Sequence, residues 1–322
     1  MNIFEDTAPS SPRRWPLRVA VMGASGSIGT QTLDVCRKHP DKLRVTALSV
    51  HSSCDLAVRA AREFGASHVY VSDEGHAHDA SLEGLPRGCE LRVGGRSLEE
   101  VAWLDDVDVV VNALVGFAGI RLGHESLRAH KILTYANKES LVVGGHLVRS
   151  ACVRPGQIVP VDSEHSAIAQ ALASGVHEKG LTSPLLTGKS EVADLVLTAS
   201  GGPFRGRTRQ ELRDVTPAQA FSHPTWDMGP VVTINSSTLV NKGLELIEAH
   251  LLFDVAPEHV LTVVPPQSIV HSMVTWIDGA TTLQASPPDM RLPIALGLSW
   301  PERLEKVEEP LRWSKPQSWT FE

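Results

Sequence analysis

Asp162 and Glu164 stand two residues apart in PVDSEHSAI (160–168), just where the apolar run QIVPVD (157–162) ends. Two carboxylates that close repel each other unless something positive lies between them. A hard divalent cation fits, because Mg²⁺ and Mn²⁺ take oxygen ligands. A helix N-cap with an acidic first turn would use the same residues, and this segment alone supports both readings. In INSSTLVNKGLELIEAH (234–250), Asn241, Lys242, Glu245 and Glu248 recur at helical spacing and share a face. A surface Lys242–Glu245 pair is the commoner use of such spacing. The neighbouring polar set is unusual, however: Ser200-Gly201-Gly202 after a strand, His223, and Ser236 ahead of the helix. Small hydroxyls, a glycine turn, an amide and a lysine are what a single phosphate requires.

A second chemical signal lies near the start. The strand LRVAVMG (17–23) runs into Gly23-Ala-Ser-Gly26-Ser-Ile-Gly29 and then into helix-forming TQTLDVCRKH. Glycines permit a tight turn and close approach of backbone to a pyrophosphate, and the helix N-terminus presents free N–H groups. Ser25 occupies the second glycine position of the usual dinucleotide fingerprint, and a glycine turn with no nucleotide is the competing explanation. The second strand ends Leu48-Ser49-Val50-His51-Ser52-Ser53, with no acid until Asp55. An NAD enzyme places a carboxylate there for the ribose 2′-hydroxyl. A neutral or basic cluster suits a 2′-phosphate, so NADP is expected, although His51 also reads as an ordinary surface histidine.

These residues need elements to hold them. Strand candidates LRVAVMG (17–23), LRVTALSV (43–50), SHVYVS (67–72), DVDVVVNAL (106–114), KILTYAN (131–137) and QIVPVD (157–162) alternate with helix-length segments. Near-continuous apolar strands between helices imply an α/β fold with a doubly wound parallel sheet. VADLVLTAS (192–200), HVLTVV (259–264), SIVHSMVTWI (268–277) and ATTLQAS (280–286) predict a second, α+β unit with a mostly antiparallel sheet. Asp278-Gly279 is a hairpin turn between the last two strands. A helix is expected from Ser237 or Thr238 to about His250. Thr208–Glu211 and Thr216–Gln219 read as caps opening short helices. Residues 175–190 read as an exposed loop, and both hydrophobic cores are expected upstream of about residue 290.

Composition limits the partners. The 322 residues suffice for two domains at roughly 100–200 residues each. The net charge of −7 offers no broad basic face for nucleic acid. No run of 18 apolar residues occurs, so no membrane span is expected. Cys36, Cys54, Cys89 and Cys152 show no paired spacing and read as reduced, mostly buried thiols. The first 16 residues lack an apolar core and carry Glu5 and Asp6, unlike a signal or plastid-import peptide. A bacterial cytoplasmic location is expected.

In chain order, GASGSIG, YANKES, PVDSEHSAI, TASGGPFR, HPTWDMG, INSSTLVNKGLELIEAH, PPQSIVHSMV and SPPDMRLPIALGLSWPERL resemble the 1-deoxy-D-xylulose 5-phosphate reductoisomerase family, across essentially Leu17 to Glu322. The resemblance implies conversion of that keto sugar phosphate to 2-C-methyl-D-erythritol 4-phosphate, in non-mevalonate isoprenoid biosynthesis, by a homodimer using NADPH. It implies a divalent cation (Mn²⁺, Mg²⁺ or Co²⁺) on Asp162, Glu164 and Glu245. It implies a phosphate cradle of Ser200, Ser236, Asn241 and Lys242 with His223 beside it, and Ser163 as a further substrate contact. Lys138 would meet substrate oxygens, and Lys138 and Glu164 would handle protons. His223, Trp226 and Met228 would belong to a catalytic lid, HPTWDMG, that excludes water. Cofactor contacts would be Gly23, Ser25, Gly26, Ser27 and Ile28, then His51 and Ser52, then Asn137 and Glu139 flanking Lys138.

The implied domains are a loose tail (1–16), an NADPH-binding domain (17–161), a catalytic, metal-binding and dimerisation domain (162–305), and a linker (306–322) toward a C-terminal helical domain with which family members continue. The chain departs from the family in reading GAS where GST is commoner, and in a longer 175–190 segment. Two alternatives accompany this reading. One is an NADPH-binding chain that turns over slowly for want of the further domain. The other is an NADP-dependent semialdehyde or homoserine-type dehydrogenase; a semialdehyde enzyme needs a cysteine nucleophile beside a base, and Cys152 lies outside every motif.

Overall fold

Residues 15–222, 226 and 229–322 are described by a computed structural model of the chain. Among them, seven short, Val-rich strands form a parallel sheet. They are β1 (Leu17–Met22), β2 (Leu43–Val50), β3 (His68–Val71), β4 (Glu90–Val93), β5 (Val109–Asn112), β6 (Ile132–Tyr135) and β7 (Ile158–Pro160), in the order β4-β3-β2-β1-β5-β6-β7. Helices α1 (Ser27–Lys38), α2 (Cys54–Phe64), α3 (Gly119–Arg128) and α4 (Lys138–Ala151) cross between strands. The chain leaves the centre one way through β2 to β4 and the other way through β6 to β7. β1 and β5 therefore pair at the switch point, Met22 opposite Asn112, and the crevice beyond their C-terminal ends is where such sheets bind ligands.

The second unit contains α5 (Ser163–Leu172), β8 (Val192–Thr198), α6 (Pro217–Ala220), α7 (Pro230–Ser237), α8 (Val240–Phe253), β9 (Val260–Val263), β10 (Val270–Trp276), β11 (Thr281–Ala285) and α9 (Arg291–Ser299). Its sheet runs β11-β10-β8-β9, antiparallel except for β8–β9. The hairpin at Asp278-Gly279 forms as expected, with Gly279 at φ 89° and Asp278 Oδ1 accepting from Ala280 N.

Several expectations are corrected. β4 went unpredicted because ELRV is an edge strand with three exposed residues, so it lacks an apolar run. The helix expected from Ser237 or Thr238 forms as α8 but opens at Val240, after Leu239 takes φ 60°; α7, which ends at Ser237, was not expected. Thr208 and Glu211 exchange the capping bonds (2.7 and 3.4 Å), but turns follow, not a helix; the Thr216–Gln219 box does open α6. The 175–190 loop is closed by a His177–Ser190 bridge and tied to α8 through Leu181 N to Leu252 O (2.7 Å). The cores do not end before residue 290. Ile294, Ala295 and Leu298 of α9 are buried in the first unit's core, and Thr134 Oγ1 donates to Gly297 O (2.9 Å). Trp15 also packs there, beneath Lys42. All four cysteines are free. Among the described residues, no helix is long and apolar enough to cross a membrane.

Candidate active site

Every parallel strand points its C-terminal end at one edge of the first sheet, so the residues that follow the strands meet there. β7 delivers Asp162, which occupies the N-cap position of α5 yet makes no side-chain capping bond. Its carboxylate instead contacts Lys138 Nζ, at the start of α4 after β6. α8 approaches from the second unit and inserts Glu245. Lys138 Nζ lies 2.8 Å from Glu245 Oε1 and donates to Asn241 Oδ1 at 3.1 Å. Lys242 Nζ donates to Glu164 Oε1 at 2.7 Å, and also to Glu245 and to Thr198 O. Ligand oxygens of Asp162, Glu164 and Glu245 lie within 4.8 Å of one another. Asp162 therefore takes part in the cluster and does not cap α5 with its side chain, and the Lys242–Glu245 pair is no surface salt bridge: Lys242 is 9% exposed and Glu245 1%.

Three carboxylates against two ammonium groups leave one net negative charge, and a bound divalent cation would bring the local sum to +1. An all-carboxylate donor set is what a hard divalent cation requires. Burial alone would lower the Lys138 ammonium, but Asp162 and Glu245 outweigh it and hold the group well above its usual range. Lys242 is raised in the same way by Glu164 and Glu245. Burial acting alone would raise the Asp162 carboxyl; Lys138 holds it below the usual range. Behind the cluster, His165 Nε2 reaches Glu245 O (2.9 Å), while its Nδ1 faces Glu248 Oε2 (3.4 Å). Burial pushes the Glu248 carboxyl up to about 7.

Ser200, Ser236, Asn241 and Lys242, expected around a phosphate, all line one cavity. Gly201 and Gly202 take positive φ, and a Cβ on Gly202 would come within 2.7 Å of Ser236 O. Only glycine lets the Ser200 loop close on α7. Ser200, Ser236 and Asn241 line one cavity with the carboxylates. Lys242, expected in the cradle, spends its Nζ on the carboxylates. Ser163 Oγ donates to Glu164 Oε2 (2.6 Å) and lines the same cavity. Trp226 lines it too, edge-on to His271 at 6.0 Å. His223 and Met228 lie outside the described residues. Sequence reasoning passed over His165 and His271, although each sits inside a quoted motif. For His271 the signal would have been an imidazole in the largely apolar strand SIVHSMV; His165, among Asp162, Glu164 and serines, gave none.

The same cavity reaches Ser27 and Ile28 of the glycine loop. Gly23, Ser25, Gly26 and His51 line an adjoining groove of ≈ 840 Å³, within the roughly 300–1,000 Å³ of small-molecule sites. The glycine cradle fits a pyrophosphate: a Cβ on Gly29 would meet Gly23 O at 2.1 Å, so the turn folds back on itself as only glycine permits. Ser52 is exposed beside His51 but lines neither cavity, and Glu139 lines neither. Asn137 lines neither cavity. Its fully buried amide caps α4 at Ser140 N (2.9 Å) and donates to Leu114 O and Gly116 O. Its side chain holds the loop after β5 in place.

Comparison with known proteins agrees. The family model described as 1-deoxy-D-xylulose 5-phosphate reductoisomerase matches residues 19–145, and that for its C-terminal domain matches 158–253. A model described as DXP reductoisomerase C-terminal domain matches 285–322. The chain is 48% identical over 305 residues to the 1-deoxy-D-xylulose 5-phosphate reductoisomerase of Leifsonia xyli, covering 95% of this chain and 75% of that one. It is 50% identical over 317 residues to the Mycobacterium avium protein of that name, covering 98% and 73%. Among solved structures, a DOX-P reductoisomerase in complex with NADPH, fosmidomycin and magnesium matches with TM-score 0.82 and 34% identity, covering 95% and 75%. The Zymomonas mobilis reductoisomerase in complex with NADPH matches with TM-score 0.83 and 36% identity, covering 95% and 76%.

Proposed function

The chain belongs to the 1-deoxy-D-xylulose 5-phosphate reductoisomerase family, and from that premise we propose how its own residues divide the work. The reaction converts 1-deoxy-D-xylulose 5-phosphate to 2-C-methyl-D-erythritol 4-phosphate, with NADPH and a divalent cation as cofactors. The observation that carries the assignment of roles is the meeting of Asp162, Glu164 and Glu245, from two separate units, around Lys138 and Lys242.

Asp162, Glu164 and Glu245 would hold the cation. Bound there, the cation supplies Lewis acidity toward ketone and hydroxyl oxygens, and NADPH supplies hydride. Ser200 and Ser236, with Asn241 beside the carboxylates, would hold the phosphate in the same cavity and so fix the carbon chain near the cation. Lys138 Nζ, held protonated by Asp162 and Glu245, would donate a hydrogen bond or a proton to a substrate oxygen. Glu164, the least buried of the three carboxylates, is the residue placed to accept a proton. Trp226, with His223 and Met228 assigned by resemblance, covers the cavity and excludes water. Gly23, Ser25, Gly26, Ser27 and Ile28 cradle the pyrophosphate, and His51 with Ser52 faces the 2′-phosphate.

A dehydrogenase that uses a cysteine nucleophile has no support. The Cys152 thiol ends α4, donates to Val148 O, and burial pushes it up to about 11, the wrong direction for a thiolate. We also propose a homodimer in the cytoplasm. One row across the second sheet, Leu261–Val196–Met273–Leu283, leaves Leu261 and Leu283 47% and 42% exposed, an apolar face that a second copy would cover. The test of function is NADPH oxidation, followed by absorbance, on adding 1-deoxy-D-xylulose 5-phosphate with Mn²⁺. Turnover that stops on chelation is expected. Absence of turnover, with NADPH still bound, would favour a chain that binds cofactor without catalysis.

A further inference from the structure

The groove beside the glycine loop contains a cation that the foregoing account does not use. β4 ends at Val93 and turns through Gly94, at φ 112°, with Gly94 N bonded to Val71 O (2.8 Å) and Ser97 Oγ donating to Gly94 O (2.6 Å). That turn brings Arg96 into the wall of the groove, along with Gly23, Gly26, His51 and Ser72. Arg96 is exposed and makes no hydrogen bond or ion pair among the described residues. Glu99, the acid in the same wall, is engaged by Arg121 at 3.4 Å. His51 is oriented from behind, its Nδ1 lying 2.9 Å from Ser72 Oγ, which leaves Nε2 as its free edge.

The order of strands gives these residues a common target. In a sheet wound this way, a dinucleotide lays its pyrophosphate on the β1 turn and its adenosine ribose over the end of β2. A 2′-substituent on that ribose projects past β2 toward β3 and β4. His51, Ser72 and Arg96 leave the ends of β2, β3 and β4 in turn. A guanidinium offers a fork of donors matched to phosphate oxygens.

We propose that Arg96 reads the 2′-phosphate of NADPH, clamping it from the β4 side while His51 contacts it from the β2 side. The inference rests on NADPH being the cofactor and adds which residue sets the preference for it. Discrimination against NADH in this chain is then built largely from a turn two strands away from the usual position.

Competition binding with 2′,5′-ADP and 5′-AMP tests the proposal, on the whole chain and on Arg96→Gln and Arg96→Lys. The wild-type chain is expected to prefer 2′,5′-ADP, and added salt to weaken that preference. Arg96→Gln is expected to lose on the order of tenfold to a hundredfold of 2′,5′-ADP affinity with 5′-AMP affinity unchanged. Arg96→Lys should fall between, since an ammonium keeps charge but not the fork. Steady-state kinetics should show the same loss as a raised KM for NADPH and not for NADH. If Arg96→Gln discriminates as well as wild type, the proposal falls. It falls equally if affinities for both nucleotides drop together, since Arg96 would then be shaping the groove. A wild-type chain that binds the two nucleotides equally would instead overturn the NADPH reading itself.

Discussion

Lys138 Nζ lies 2.8 Å from Glu245 Oε1 and links the start of α4, in the first unit, to the buried face of α8, in the second. Asp162 and Asn241 complete the environment of the same ammonium. One charge therefore holds both halves of the site in register. Removing one partner of a buried pair leaves the other uncompensated, at about 3–5 kcal/mol. Lys138→Met is expected to lower thermal stability and to reduce turnover severely. Added Mg²⁺ should raise the melting temperature of the variant more than that of wild type, because the cation restores missing positive charge. Unchanged stability together with unchanged turnover would show that Lys138 is dispensable.

The phosphate cradle predicts a separation of ligands. Ser236→Ala removes one hydroxyl from the cavity without touching the glycine loop. KM for the sugar phosphate should rise about tenfold, as for loss of a hydrogen bond to a charged group. NADPH affinity, measured by fluorescence titration, should not move. Parallel losses of both ligands would place Ser236 in the scaffold.

Gly29→Ala tests the cofactor turn. Its new Cβ would fall 2.1 Å from Gly23 O and 2.6 Å from Ala24 Cα, both backbone, so the turn itself must open. Overpacking of this kind costs about 1–3 kcal/mol. Calorimetry should show a less stable chain that no longer binds NADPH, while Mn²⁺ affinity persists.

Docking of α9 carries a pH signature. Arg291 Nη2 lies 2.6 Å from Asp34 Oδ2 and joins α9 to α1. Burial by itself would raise the Asp34 carboxyl, but Arg291 and Arg37 hold it below the usual carboxylate range. A carboxyl lowered in the folded state contributes stability above its unfolded pKa and loses it as pH falls through the folded one. Both groups are partly exposed, so the effect is under about 1 kcal/mol. Urea unfolding should therefore show Asp34→Asn less stable than wild type at pH 7. The gap should shrink as the pH drops below about 4; a gap independent of pH would remove the ion pair from the account.

What could be read beforehand follows physical rules. β1, β2 and β5 are buried on both faces and announce themselves as valine runs, and the glycine loop between β1 and α1 is a turn with few sequence solutions. Asp162 and Glu164 stood out because a strand end is local; helical spacing offered Glu245 and Glu248 alike, and the family resemblance chose Glu245. The break at Leu239 could not be read, since a leucine at positive φ is imposed by surroundings and leaves no local mark. Nor could the position of Lys242, which depends on Thr198 O and Glu164 meeting α8 across the fold. α9 lies beyond the residue at which both cores were expected to end. Its apolar face closes on Thr134 and Val161, contacts between residues more than 130 positions apart. Arg96 gave no signal because β4 itself gave none.

The central claim is that the end of β7 and the face of α8 build a single divalent-cation site. Titration of Mn²⁺ into the NADPH-saturated chain, with free Mn²⁺ followed by electron paramagnetic resonance, tests it most directly. Wild type should show one class of tight site. Glu245→Gln should weaken it by at least about tenfold, with NADPH affinity intact. A Glu245→Gln chain that binds Mn²⁺ as tightly as wild type, and with the same stoichiometry, would contradict the account.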